Sequence, residues 1–114
     1  MKKKNQIKRN VTYHAIKRTE QRTDLKGADR KELLDGAIRK GTPIVKMPDC
    51  PLKEHLKKIE DDKTYVKVYK GYIFIFNKTT IHKKLLTMYV IPYKVMQLQK
   101  EFEKTSEMKY FGYE

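Results

Sequence analysis

His14, Arg18 and Arg22 recur at every fourth position of the stretch VTYHAIKRTEQR, Val11 to Arg22. On an α-helix this spacing holds them within an arc of about 80°. Only Ala15 and Ile16 in this segment pack well, so the stripe is not an apolar face. A second pair of polar groups lies in LLTMYVIP, where Thr87 and Tyr89 are two residues apart and share one face of a strand. Together these are the residue types that metal-free RNA cleavage needs. The 2′-OH attacks the adjacent phosphorus, so a base must take its proton and an acid must protonate the departing 5′-oxygen. Fixed cations or donors must hold the charge that builds on the phosphorane oxygens. His14 is the proton-transfer candidate, because imidazole titrates near neutrality. Arg18 and Arg22 offer planar, permanently charged forks for the phosphate. Thr87 and Tyr89 offer hydroxyls that bond the phosphate or orient the histidine. Ordinary structural roles compete with each assignment: arginines pair with acids, and Thr and Tyr are good strand formers. His55 and His82 sit among lysines and rank below His14.

The charge balance agrees with a polyanionic partner. Lys and Arg number 27 against 14 Asp and Glu, a net charge of +13, far more than a small domain needs for solubility. Self-repulsion at this charge opposes folding, so the excess points to nucleic acid first and an anionic membrane surface second. Lysine-rich coding from an AT-rich genome is the competing explanation. Cys50 is the single cysteine, which excludes an internal disulfide and disfavours a Cys-rich zinc site. The histidines lack ligand-like spacing, and no glycine-rich phosphate loop or nucleophilic Cys–His signature occurs, so neither a metal nor another cofactor is expected. The start, MKKKNQIKRN, has no apolar segment of a signal peptide, and YIFIF is too short to cross a bilayer. A soluble cytoplasmic protein is the expectation.

The elements that position these residues follow from periodicity. Residues 1–10 form a basic arm, residues 11–104 one domain and residues 105–114 an aromatic tail. A helix is expected over Tyr13–Thr23. A second opens at Asp29, with Glu32 three residues on, and ends at Gly41; Leu33, Leu34, Ala37 and Ile38 are its apolar face. Pro43–Met47 is a candidate strand, and Cys50–Asp62 a short helix or ordered excursion. From Thr64 the period becomes two: TYVKVY, a Lys70–Gly71 turn and YIFIFN read as a β-hairpin. Ile81–Ile91 reads as the longest strand, with Leu86, Met88 and Val90 toward the helices. YKVMQLQKEFEK closes the domain with Val95, Leu98 and Phe102 inward. The expected fold is α+β, with amino-terminal helices packed on a small antiparallel sheet and a carboxy-terminal helix.

HAIKRTEQR, an H-A-x-x-R-x-x-x-R pattern at the start of an amino-terminal helix, resembles small toxin-type domains of the barnase/EndoU/colicin/RelE-like ribonuclease superfamily. The late-strand T-x-Y, Thr87–Met88–Tyr89, is similar to ribonuclease toxin domains of bacterial competition systems and phages. The resemblance spans about residues 11–100. It implies a metal-independent endoribonuclease that leaves 2′,3′-cyclic phosphates. On that likeness His14 matches the amino-terminal histidine, Arg18 or Arg22 the arginine, and Thr87 with Tyr89 the strand hydroxyls. It also implies an acidic antitoxin or immunity protein as partner. The Cys50–Asp62 segment and the closing helix Pro92–Lys104 exceed what a minimal member requires.

Two other classes stay open. In one the chain is a non-catalytic nucleic-acid binder, such as a phage or mobile-element regulator. Tyr65, Lys67, Tyr69, Tyr72 and Phe74 then make a basic and aromatic platform for bases. Lys17, Lys83 and Lys84 are further RNA-contacting candidates. In the other the chain inhibits a host protein, its lysines engaging an acidic surface.

Overall fold

Alternation through the hairpin sends Val66 and Val68 to one side of a sheet and Tyr65, Lys67 and Tyr69 to the other. Both sides are covered. The computed structural model describes residues 11–78 and 84–106. Its elements are α1 (Tyr13–Thr23), α2 (Gly27–Lys40), β1 (Thr42–Pro43), a 3₁₀ turn (Ile44–Lys46), α3 (Pro51–Ile59), β2 (Thr64–Tyr69), β3 (Tyr72–Asn77), β4 (Leu85–Val90) and α4 (Tyr93–Ser106). The strands lie in the order β1-β2-β3-β4, every neighbouring pair antiparallel. The chain is α+β, with amino-terminal helices on an antiparallel sheet and a carboxy-terminal helix.

Two cores sandwich the sheet. On one face Ala15, Leu33, Leu34 and Ala37 of α1 and α2 bury Phe74, Phe76, Leu85 and Met88. On the other, Leu52 and Leu56 of α3 meet Val66, Val68 and Ile73, with Val95, Met96 and Phe102 of α4 packed against them. The hairpin turns through Lys70 and Gly71, both at positive φ, the conformation that favours glycine at the second position. Gly36 has a different task. A Cβ there would clash with the Tyr69 ring and hydroxyl, so its absence lets that ring cross α2.

Several boundaries differ from the expected ones. The helix expected from Asp29 begins at Gly27, which leaves Asp29 in the first turn, where a carboxylate favours the amino-terminal dipole. The expected strand Pro43–Met47 is two strand residues followed by a 3₁₀ turn. Pro43 lacks the N–H for a further ladder bond, and Pro48 blocks continuation. The excursion at Cys50–Asp62 contains the real helix α3, started by Pro51.

The face of β4 is the largest correction. Leu85, not Leu86, joins the core under α1 and α2, while Leu86 is part-buried and Val90 is 52% exposed. A register shift between Ile75 and Phe76 is the cause of the exchange between Leu85 and Leu86. Phe76 pairs with Leu85 and Ile75 with Thr87, so Leu86 is the extra residue of a bulge. Beyond it, Met88 returns to the helical face as expected. Thr87 and Tyr89 pair with Ile75 and Ile73 on the face opposite α2, also as expected.

Helix α4 corrects its own pattern. Leu98 is 54% exposed, whereas Gln99 is fully buried. The Gln99 side-chain oxygen accepts a 3.0 Å hydrogen bond from the Leu52 N–H at the start of α3, and its amide donates to Glu103. Cys50, in the N-cap position, makes no side-chain cap, so Gln99 supplies from another helix what the local sequence lacks. Gln99→Ala is expected to lower stability by about 1–3 kcal/mol, the cost of an unsatisfied buried donor. Urea unfolding monitored by circular dichroism measures it.

Candidate functional site

Helix α1 runs beside β4, the outer strand of the sheet. Its buried residues are Ala15 and Thr19, both fully covered and both small, so the helix backbone comes close to the strand. The polar character of the helix follows: close docking on an edge needs small side chains, and a row of leucines would hold the two apart. Thr12 fixes one end. Its N–H donates to the Leu85 carbonyl (3.0 Å) and its hydroxyl to the Leu86 carbonyl (3.1 Å), while that hydroxyl accepts the Ala15 N–H (3.1 Å) as the helix cap. Arg22 fixes the other end. Its Nη1 donates to the Met88 carbonyl at 2.5 Å, and its guanidinium lies 4.8 Å from the Tyr89 ring centroid. A strand edge open to other chains is thereby occupied by groups of the same chain.

His14 and Arg18 continue the stripe from Arg22 toward solvent. Arg18 Nε donates to His14 Nε2 at 3.3 Å, and its Nη1 donates to Gln21 at 3.1 Å. In the first of these bonds Nε2 is the acceptor, the nitrogen a proton transfer would use. His14 is exposed and Arg18 half-buried. Lys17 is exposed beside them, its ammonium 5.5 Å from the Tyr13 ring centroid. Among the described residues no hydrogen bond joins Thr87 to His14, Arg18 or Arg22. The structure therefore brings together Arg22 with Tyr89, and His14 with Arg18, while Thr87 lies on the far face of β4.

The hairpin residues proposed for RNA have other surroundings. Phe74 is fully buried under α1 and α2, and leaves no face for a base. Tyr65, Tyr69 and Tyr72 are part-buried against the same core, and Tyr65 stacks on Phe76 at 5.1 Å. Burial raises the Tyr65 phenol above its ordinary pKa. Lys67 Nζ donates to the Ile38 carbonyl at 2.7 Å and sits over the Phe76 ring. Lys84 is half-buried, its carbonyl accepting the Asn77 N–H. Lys83, His82, the basic arm and residues 107–114 lie outside the described residues.

Sequence reasoning missed a groove on the opposite face. It has a volume of about 390 Å³ and runs between α3 and the β3–β4 ladder, with Ile59, Ile73, Ile75 and Val90 as its walls. His55 and Tyr89 supply its polar groups. Burial, with the Lys58 ammonium adding to it, holds the His55 imidazole below its ordinary pKa. The available signal was the spacing of His55 and Ile59, four apart and so on one flank of α3.

Among the described residues no three His, Cys, Asp or Glu side chains gather into a metal-holding group, and no helix is long and apolar enough to cross a membrane. Comparison with family models, curated proteins and solved structures finds no match to this chain. Its class is the one its own geometry defines: an antiparallel sheet between two helical layers, with a His–Arg stripe along the outer strand.

Proposed function

We propose that this chain is a ribonuclease-like domain of the toxin or phage-effector type, which binds RNA in the cytoplasm and cleaves it by 2′-OH attack. The observation that carries this reading is the Arg22–Tyr89 stack. It joins the two stretches whose chemistry is complementary, with the exposed His14–Arg18 pair farther along the same stripe. An incoming phosphate competes for the Arg18 fork and draws it from His14 Nε2, which frees the lone pair that takes the 2′-OH proton. Arg18 then neutralises charge on the phosphorane oxygens. Arg22 is a positioning residue, since its guanidinium is committed to the Met88 carbonyl and the Tyr89 ring. The Tyr89 hydroxyl, beside Arg22, is the candidate to donate the proton that the departing 5′-oxygen takes. Lys17 and Lys84 extend the phosphate-binding surface, and an acidic antitoxin or immunity protein would cover it.

The test is incubation of the purified chain with total RNA in EDTA. The expected products end in 2′,3′-cyclic phosphates and 5′-hydroxyls. Affinity for RNA is expected to fall steeply from low to physiological salt as counterions are released. Salt-dependent binding without cleavage would select the non-catalytic nucleic-acid binder instead. Loss of both would leave the inhibitor of a host protein.

A further inference from the structure

We propose that the groove between α3 and the β3–β4 ladder is a nucleobase subsite, which receives a base of the RNA whose phosphate lies on the His–Arg stripe. The inference rests on the RNA reading above and goes beyond it by assigning a second, separate surface. Three observations carry it. The groove and the stripe share a side chain: Tyr89 lines the groove and carries the Arg22 guanidinium on its ring. The Arg22 end of the stripe therefore adjoins the groove wall at Tyr89. The groove also has the size and composition of a small-molecule site. The groove, about 390 Å³ and open on one side, is lined mainly by Ile59, Ile73, Ile75 and Val90, and apolar walls with few polar groups are what a flat heteroaromatic ring occupies. Finally, the polar groups present suit a base edge. His55 and Tyr89 offer an imidazole and a phenol, each able to donate and accept. Burial, with Lys58 adding to it, disfavours the imidazolium, so the neutral ring with one donor and one acceptor is the favoured form.

The chain's charge of +13 favours an anionic occupant. An apolar pocket beside a cationic stripe fits a ligand that is flat and apolar in one part and anionic in the adjoining part, which is the make-up of a nucleotide. An acidic protein segment with one aromatic anchor is the rival occupant, and the experiment separates the two.

The full chain is titrated at low salt with 2′-O-methyl tetranucleotides, which lack the attacking hydroxyl and stay intact, and with an abasic tetramer of equal charge. At least one base-bearing tetramer is expected to bind about fivefold or more tightly than the abasic one, the lower end of single-base stacking. His55→Ala and Val90→Asn are expected to bring that ratio close to one while leaving abasic affinity unchanged. Arg18→Ala is expected to weaken both ligands together and preserve the ratio. Val90 is exposed, so its substitution keeps the proposal testable if the His55 variant fails to fold. Equal wild-type affinity for both kinds of tetramer overturns the subsite, as does a ratio unchanged in both groove variants. Either result then favours the protein segment. Failure of the ribonuclease reading shows differently, as intact total RNA in EDTA with the base-to-abasic ratio retained.

Discussion

His14→Ala is expected to lower the rate of EDTA-resistant RNA cleavage by roughly 10²–10⁴-fold, the range contributed by a positioned general acid or base. Thermal stability is expected to stay nearly unchanged, because His14 is exposed and its side chain bonds Arg18, itself half open to solvent. The prediction gains its force from contrast along one stripe. Arg18→Ala is expected to cut the rate with little loss of stability. Arg18→Lys should restore it only in part, since an ammonium cannot reproduce the planar fork. Arg22→Ala is expected to lower both rate and melting temperature, because it removes the bond to the Met88 carbonyl and the stack on Tyr89 that hold α1 to the sheet. Single-turnover cleavage beside thermal unfolding of each variant measures the pattern. Full activity in the His14 variant would remove the histidine from the mechanism.

Leu85→Ala is expected to cost about 2–5 kcal/mol, the range for a leucine removed from a packed core. Leu85 is fully covered between the sheet and the amino-terminal helices. Leu86→Ala is expected to cost clearly less, since Leu86 is the part-buried bulge residue. Adjacent leucines in one strand thus serve as a direct probe of register. Without the bulge the two would exchange faces, and the costs would be reversed. Urea midpoints of the two variants decide between these outcomes. A larger loss at Leu86 would mean a regular strand, with Leu86 and Met88 together toward α1 and α2 and Leu85 turned away beside Thr87.

The same bulge marks where local pattern stops being informative. Strict alternation from Ile81 to Ile91 makes Leu86, Met88 and Val90 one face, and only Met88 keeps the expected role. One inserted residue exchanges the faces on one side of it, and nothing in LLTMYV distinguishes a bulged strand from a regular one. Helix α4 teaches the same lesson by another route. Val95 and Phe102 were legible as its inner face, but apolar periodicity selects Leu98 over Gln99. The buried glutamine is explained only by the Leu52 N–H, which lies 47 residues away in sequence.

The sequence by itself determined the α1 boundaries, the Lys70–Gly71 hairpin, the order of helices and strands and the cationic excess. Each of these depends on local chemistry: helix-forming residues over Tyr13–Thr23, a glycine in a tight turn, a change of period from helical to twofold, a count of charges. It also determined that His14, Arg18 and Arg22 share a stripe, because helical spacing requires nothing beyond the helix. The tertiary structure decided what the stripe faces. It placed α1 on the β4 edge through small residues, drew Arg22 into the sheet and left the His14–Arg18 pair outside. It also set the hairpin's aromatics under α2 and opened a groove beside Tyr89. Such placements are sums of contacts between segments far apart in the chain, and no local window contains both partners.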